Sequence, residues 1–254
     1  MSEKHYDINY LQNSRRLLLD LKERSYALFK DIKQGAIVDL GCGAGKDVIE
    51  LAKQNGPKVK VIGVDHDPVM INQGNEDARD IENVSFVLSE ASPLPFDDNS
   101  LSGLRTERVV QHLKAPDQVI SEVNRILKPG SPFVIVETDW HSLAFFTEFI
   151  DVEKKINAYL TDVKVNNGFA SRKLTSYLKK QSFKDIKVEI HPIVVSTLQE
   201  ANDYFWIEKM VKEVVEKGYI TAKEHTDFYN ALQTADENGY FAASINMVVA
   251  WGNK

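Results

Sequence analysis

The feature that most constrains this chain is a glycine cluster placed directly after an apolar run. Ala36-Ile37-Val38-Asp39-Leu40 has the composition of a buried strand, and Gly41-Cys42-Gly43-Ala44-Gly45 follows at once, with glycine at alternate positions. Val48 to Ala52 then continues as a helix. Glycine admits positive φ and lets another group come close to the backbone. A strand, a glycine turn and a helix in that order belong to an open α/β sheet, in which ligands bind outside the carboxyl ends of the strands.

The rest of the chain repeats the alternation. Lys58 to Val64 is a second strand, Asp67-Pro68 caps and opens a helix to about residue 79, and Val84 to Leu88 is a third strand. Leu101 to Thr106 is the fourth, required by the alternation between its neighbours. Pro116 to Leu127 is a helix with Val119, Ile120, Val123, Ile126 and Leu127 on one face, stopped by Lys128-Pro129-Gly130. Phe133 to Val136 is the fifth strand, and Glu137-Thr138-Asp139-Trp140-His141 is read as its end. A helical stretch follows, up to a helix over Ser171 to Lys180. Ile186 to Val195 and Ile245 to Trp251 are further strands, antiparallel neighbours at the sheet edge, separated by about forty residues of helical character. Ahead of the core, Tyr10 to Lys30 has the spacing of one or two amphipathic helices. Strands alternating with helices imply a mostly parallel sheet covered on both faces, because crossovers are right-handed.

The glycine spacing is G-x-G-x-G, and the sixth position of a dinucleotide fingerprint is Lys46 rather than glycine. A nicotinamide oxidoreductase is therefore the weaker reading. A Walker loop is absent as well. The second strand ends at Gly63-Val64-Asp65, where a carboxylate can accept hydrogen bonds from both hydroxyls of a ribose.

Composition narrows the function classes. A net charge of -6 and a pI near 5.6 argue against the broad basic surface that a phosphate backbone requires, so nucleic acid is not expected as a partner. The single cysteine, Cys42, excludes an internal disulfide and a cysteine-rich zinc site, and the six histidines show no metal-binding spacing, so no metal is expected. No apolar run approaches the length that spans a bilayer, and the first residues lack signal-peptide order, which places the expected location in the cytoplasm.

Val38 to Asp47 resembles motif I of the class I S-adenosylmethionine-dependent methyltransferases, and Gly63-Val64-Asp65 resembles their ribose-binding acid. Ser89-Glu90-Ala91 with Leu94-Pro95-Phe96 resembles the next motif. Glu107 to Leu113 and Glu122 to Gly130 resemble the block after strand four in the ubiquinone/menaquinone methyltransferase-like branch. The match covers about residues 35 to 140. It departs at Glu90, where the family usually has Asp, at Ser102, usually Asp, and at Ser131, usually Gly.

The resemblance implies a Rossmann-like, doubly wound, mostly parallel seven-stranded sheet with an antiparallel edge strand and helical lid insertions, forming one domain over residues 1–254. Its core would be about 31–140, 171–196 and 240–254, with lid segments about 1–30, 141–170 and 197–239. It implies S-adenosylmethionine as donor and S-adenosylhomocysteine as product. The cofactor contacts it implies are Asp39, Gly41, Cys42, Gly43 and Gly45 in the loop, Asp65, His66 and Met70 after strand two, Glu90 and Ala91 after strand three, and Arg105 and Gln111 around strand four. Cys42 also reads as a small filler of the turn.

A sulfonium methyl is already electrophilic, so the protein has mainly to orient the nucleophile and exclude water. His112, Asp139 and His141 are the candidates for taking a proton from the acceptor. The alternatives are helix packing for His112 and helix capping for Asp139. Tyr6, Tyr10, Phe145, Phe146, Phe149, Tyr204, Phe205 and Trp206 would form either a lid over an apolar substrate or ordinary interior contacts. The expected partner is a small-molecule methyl acceptor methylated on O, N or C, with the protein a monomer or homodimer. The alternatives are a donor-binding regulatory module without turnover and a methyltransferase acting on a protein.

Overall fold

The structure is a computed structural model and describes residues 17–254. The described elements run α1 (Leu19–Ala27), β1 (Gly35–Leu40), α2 (Lys46–Asn55), β2 (Val59–Asp65), α3 (Pro68–Asp77), β3 (Val84–Leu88), β4 (Gly103–Glu107) and α4 (Pro116–Ile126). They continue with β5 (Pro132–Phe145), α5 (Ile150–Tyr159), α6 (Ala170–Lys180), β6 (Lys184–Val195), α7 (Leu198–Phe205), α8 (Ile207–Glu216), α9 (Ala222–Glu237) and β7 (Ala243–Asn253). A single 3-10 turn spans Val110–His112, and a π-helical turn, Leu160–Lys164, extends α5.

The seven strands form one sheet in the order β3-β2-β1-β4-β5-β7-β6. It is mostly parallel, with an antiparallel edge strand, and helices flank it, as a Rossmann-like methyltransferase fold requires. The register aligns the strand ends: Leu40 of β1 lies beside Val64 of β2 and Thr106 of β4, and Asp65 lies beside Leu88 of β3. The glycine loop, Asp65, Glu90 and Glu107 therefore emerge at one edge of the sheet. The strand order reverses at β1, so this edge carries the crevice in which such sheets bind ligands.

Local chemistry explains the boundaries. Gly45, at φ 76°, turns the chain into α2, and Gly56, at φ 77°, ends it. The Asp67 carboxylate accepts the Val69 N–H at 2.8 Å, and Pro68 occupies the first turn of α3. The Glu122 to Gly130 block holds the loop before β4: Glu122 accepts the Leu94 N–H at 2.8 Å, and Arg125 donates to Asp98 at 2.6 Å.

The described chain falls into two compact units. One comprises Leu21–Glu137, Ala170–Ile190 and Val248–Lys254, and its core is largely aliphatic, from Val38, Leu104, Ile120, Ile126 and Ile135 to Leu174 and Val248. The other comprises Thr138–Phe169 and His191–Met247 with the described residues before Leu21. Its core is built by α5, α7, α8 and α9 around Phe145, Ile156, Tyr159, Val211, Phe228 and Ile245.

Two boundary expectations are corrected. β5 does not end at His141 but runs to Phe145, because Leu143 and Phe145 continue the inward alternation into the second core. Asp139 consequently lies within a strand. β4 begins at Gly103, while Leu101 makes only an isolated bridge to Leu127. The expected helices over Tyr10 to Lys30 are described only as α1, and Tyr6 and Tyr10 lie outside the described residues.

Candidate active site

The loop after β1 is built on backbone hydrogen bonds that only a tight turn can make. Gly41 and Cys42 both donate their N–H to the Val64 carbonyl, at 2.7 and 3.1 Å, and Gly45 donates to Cys42 at 3.0 Å. Gly41, Gly43 and Gly45 all have positive φ. At Gly45 a Cβ would fall 2.3 Å from the Phe86 ring, and at Gly63 it would meet both Phe86 and the Cys42 Sγ, at 2.6 and 2.7 Å. Glycine is demanded here by close approach as well as by φ.

Asp65 closes this loop from β2. One carboxylate oxygen accepts the Gly43 N–H at 2.8 Å, and the other accepts the Asp67 N–H at 3.0 Å. Each oxygen keeps a further lone pair, so the carboxylate is held in place with capacity to receive two hydroxyls. Its neighbour His66 is exposed, with Nδ1 3.3 Å from Asp65, whereas Met70 is buried on α3. Glu90, exposed, and Ala91, half-buried, follow β3 at the same edge.

Beneath the loop lies a cluster of buried charge. Arg105, fully buried in the middle of β4, donates to Ser25 at 3.0 Å, Asp39 at 3.1 Å and Asp47 at 3.2 Å, and also to Glu107. Its guanidinium sits 5.1 Å from the centre of the Tyr26 ring. Lys22 of α1 donates to Asp47 at 2.6 Å and to both oxygens of Glu107 at 2.8 and 2.7 Å. Tyr26 donates to Asp47 at 2.8 Å.

Burial opposes ionisation of Glu107, but Lys22 and Arg105 outweigh it and hold the group at about 2. Asp47 is likewise held well below the carboxylate range, against its burial, by the same two cations. Asp39 behaves oppositely: burial, only partly offset by Arg105, pushes it up to about 7. Three cations, Lys22, Arg105 and Arg108, face the three carboxylates, the last of them 3.5 Å from Glu107, and Asp39 is the one of the three carboxylates that burial pushes toward its neutral form.

Arg105, expected with Gln111 as a cofactor contact around strand four, lies instead in the protein interior, with its donors committed to four side chains. Asp39 is similarly committed, to Arg105. Cys42 is a turn filler: burial, then Asp39 and Asp65, push its thiol well up, so it stays protonated and un-nucleophilic.

Gln111 and His112 occupy the 3-10 turn after β4, with Gln111 Nε2 3.2 Å from His112 Nε2 and 3.2 Å from the Arg108 carbonyl to which it donates. That turn is tied to β5 by Glu137, which accepts the Val110 and Gln111 N–H groups at 2.6 and 3.4 Å. The other Glu137 oxygen is buried without a hydrogen-bond partner. Burial, only partly offset by those two N–H groups, pushes Glu137 up to about 8, so it is mostly a neutral acid at pH 7. Asp139 and His141 stand two residues apart on β5 and so share a face, Asp139 buried and His141 exposed with its ring 5.8 Å from Phe169.

Lys22, Ser25, Tyr26, Asp47, Glu107 and Glu137 were not expected in the site. One sequence signal marks the first of these: Lys22 falls at helical spacing in a series with Leu18, Tyr26 and Phe29, all of them buried. Among the described residues no group of three or more His, Cys, Asp or Glu could hold a metal ion, and no helix is long and apolar enough to cross a membrane.

Comparison with known proteins agrees with this geometry. A family model described as a methyltransferase domain matches residues 32–185. The demethylmenaquinone methyltransferase of Staphylococcus aureus is 36% identical over 115 residues, 44% of this chain and 46% of that protein. The chain spans about half the length of the curated relatives it matches. A putative methyltransferase of Bacillus halodurans superposes with a TM-score of 0.64 at 14% identity, over 92% of this chain and 98% of that one. Phosphoethanolamine N-methyltransferase 2 of Haemonchus contortus, solved with S-adenosylmethionine, superposes with a TM-score of 0.61 at 16% identity, over 99% of this chain and 59% of that one. The matched family model, over a glycine loop and acid arranged as a donor site, places this chain in the methyltransferase-domain family, the class I methyltransferases whose donor is S-adenosylmethionine.

Proposed function

We propose that this chain transfers a methyl group from S-adenosylmethionine to an oxygen, nitrogen or carbon of a small-molecule acceptor. The observation that carries the proposal is Asp65, a carboxylate fixed through both oxygens by the Gly43 and Asp67 N–H groups at the edge where three positive-φ glycines emerge. In this reading Asp65 receives the ribose hydroxyls, Gly41, Gly43 and Gly45 leave room for the amino-acid portion of the donor, and Glu90 with Ala91 meets the base. His66, Met70, Cys42 and Gln111 complete the surroundings, while Asp39 and Arg105 act from beneath the loop. When bound, the donor supplies an electrophilic methyl group.

The residues of this chain then have to orient the acceptor, exclude water and hold a proton. His112, Asp139 and His141 are the candidate proton acceptors. The helical segments 141–170 and 197–239 carry aromatic residues, which favour an apolar or aromatic acceptor. The acidic balance of the chain favours a small molecule over nucleic acid.

Isothermal titration with S-adenosylmethionine and S-adenosylhomocysteine, with NAD as control, tests the donor assignment. Asp65→Ala removes two charge-assisted hydrogen bonds and should weaken both adenosyl ligands roughly 100-fold, with circular dichroism showing the fold retained. Equal binding by the variant, or no adenosyl binding by the native chain, defeats the reading. A screen of small metabolites for S-adenosylhomocysteine release then separates an enzyme from a donor-binding module without turnover, and a protein acceptor is tested in the same format.

A further inference from the structure

β6 ends the sheet: β7 lies on one side of it and no described strand on the other. An edge strand presents a row of backbone N–H and C=O groups on its outer side, and proteins usually blunt such edges. The segment Ile186-Lys187-Val188-Glu189-Ile190 contains no proline or glycine, and Val188 and Ile190 are 51% and 63% exposed. Lys187 and Glu189 are exposed as well, so both faces of the strand meet solvent over this stretch.

We propose that a second copy of this chain pairs antiparallel with this edge about a two-fold axis through Val188. The side-chain order is self-complementary about that residue. The axis sets Val188 opposite its own copy, Lys187 opposite the copy's Glu189, Glu189 opposite the copy's Lys187, and Ile186 opposite the copy's Ile190. Opposite charges and β-branched pairs are the favourable cross-strand combinations. Moving the axis one residue either way sets Lys187 against the copy's Lys187, or Glu189 against the copy's Glu189, and like charges directly opposite are destabilising. The pairing is bounded at both ends. Asp185 leaves the extended conformation with φ 51°, and Pro192 has no N–H to contribute.

The result is an isologous contact, the same patch on both copies, which joins two sheets edge to edge. A pairing this short is small for a stable interface, so the dissociation constant is expected to be on the order of tens of micromolar. The inference stands apart from the methyl-transfer reading, because it uses no residue of the donor site.

Sedimentation equilibrium over roughly 1–500 µM is the test. The native chain should show a reversible monomer–dimer equilibrium. Lys187→Glu turns two attractive pairs into repulsive ones and should weaken the dimer roughly tenfold, and Val188→Lys, which sets like charges on the axis, should abolish it. The double variant Lys187→Glu/Glu189→Lys exchanges the charges and should restore the native constant, an outcome that general damage to the strand cannot produce. All these side chains are exposed, so thermal melts should be unchanged. A monomer throughout the series overturns the proposal, as does a dimer indifferent to both single variants. Failure of the double variant to recover overturns it too.

Discussion

The two compact units of this chain are filled by different residues. The unit containing the glycine loop buries Tyr26, Phe29, Phe133, Tyr177 and Phe183, and Phe96 is the aromatic packed at the margin of its main, largely aliphatic cluster. The helical unit buries Phe145, Tyr159, Phe228 and Phe241, and its margin carries Trp140, Phe149, Tyr204, Phe205, Tyr219 and Tyr229. Their polar interiors differ as well. The first unit buries Lys22, Asp39, Arg105 and Glu137, whereas the second buries Thr138, Asn157 and Thr161 with Asp139. A β-branched, aliphatic core suits strands that must hold one fixed edge, and buried charge anchors the loop above it. An aromatic margin on helices supplies large apolar area with few rotatable bonds, a composition suited to apolar contact.

The largest expected effect breaks the charged side of this comparison. Arg105→Met leaves Asp39 without its ion-pair partner and Asp47 and Glu107 with Lys22, Arg108 also facing Glu107. Breaking a buried pair in this way costs about 3–5 kcal/mol, measurable by urea unfolding. A loss below about 1 kcal/mol would show that the cluster contributes little to the stability of this unit.

Phe228→Ala attacks the aromatic side. Its ring stands 5.2 Å from that of Phe145, edge-on, and 6.0 Å from that of Phe149. Truncation should cost about 3–4 kcal/mol through lost transfer energy and the cavity left behind. If the donor contacts lie in the first unit as proposed, the affinity for S-adenosylhomocysteine should stay within twofold of native; a large loss would overturn that assignment.

Glu137→Gln probes the neutral acid in the first unit. The folded carboxyl, at about 8, keeps its proton to higher pH than in the unfolded chain, so the folded state binds the extra proton between about pH 4.5 and 8. Stability from this group is therefore fully present below pH 4.5 and falls as pH rises to 8, by a total on the order of a few kcal/mol. Gln cannot titrate, and the variant's stability curve should lack that slope. An identical slope in both proteins would show that Glu137 does not hold the proton.

The smallest effect tests the helical unit at its surface. Thr221 and Glu224 form a capping box at the start of α9, with Thr221 accepting the Glu224 N–H at 3.1 Å and Glu224 accepting the Thr221 N–H at 2.7 Å. Thr221→Ala should cost about 1 kcal/mol in thermal unfolding, with donor binding untouched.

The regularity of the first unit explains how much of it was legible in the sequence. β1, the glycine turn and α2 follow from an apolar run, three glycines and a helical period, and Asp65 follows from its place at the end of β2. Asp67-Pro68 marks the start of α3 because a capping carboxylate and a fixed φ act within a single turn. β5 was misjudged for the converse reason. Its second half, Asp139-Trp140-His141-Ser142, is polar and aromatic, and it stays extended through tertiary partners, with Ser142 accepting the Asn246 N–H at 2.8 Å and the Leu143 carbonyl accepting from Asn157 at 2.9 Å.

The sequence by itself determined the sheet class, the glycine loop and the acid that closes it, because those depend on interactions between residues near in the chain. Tertiary structure decided the buried charges. Lys22, Asp47, Arg105 and Glu107 lie up to 85 positions apart, and beyond the helical slot that Lys22 occupies nothing local marks them until the others are brought within hydrogen-bonding distance. A charge is tolerated inside a protein only with its partners in place, and no local rule specifies partners that distant.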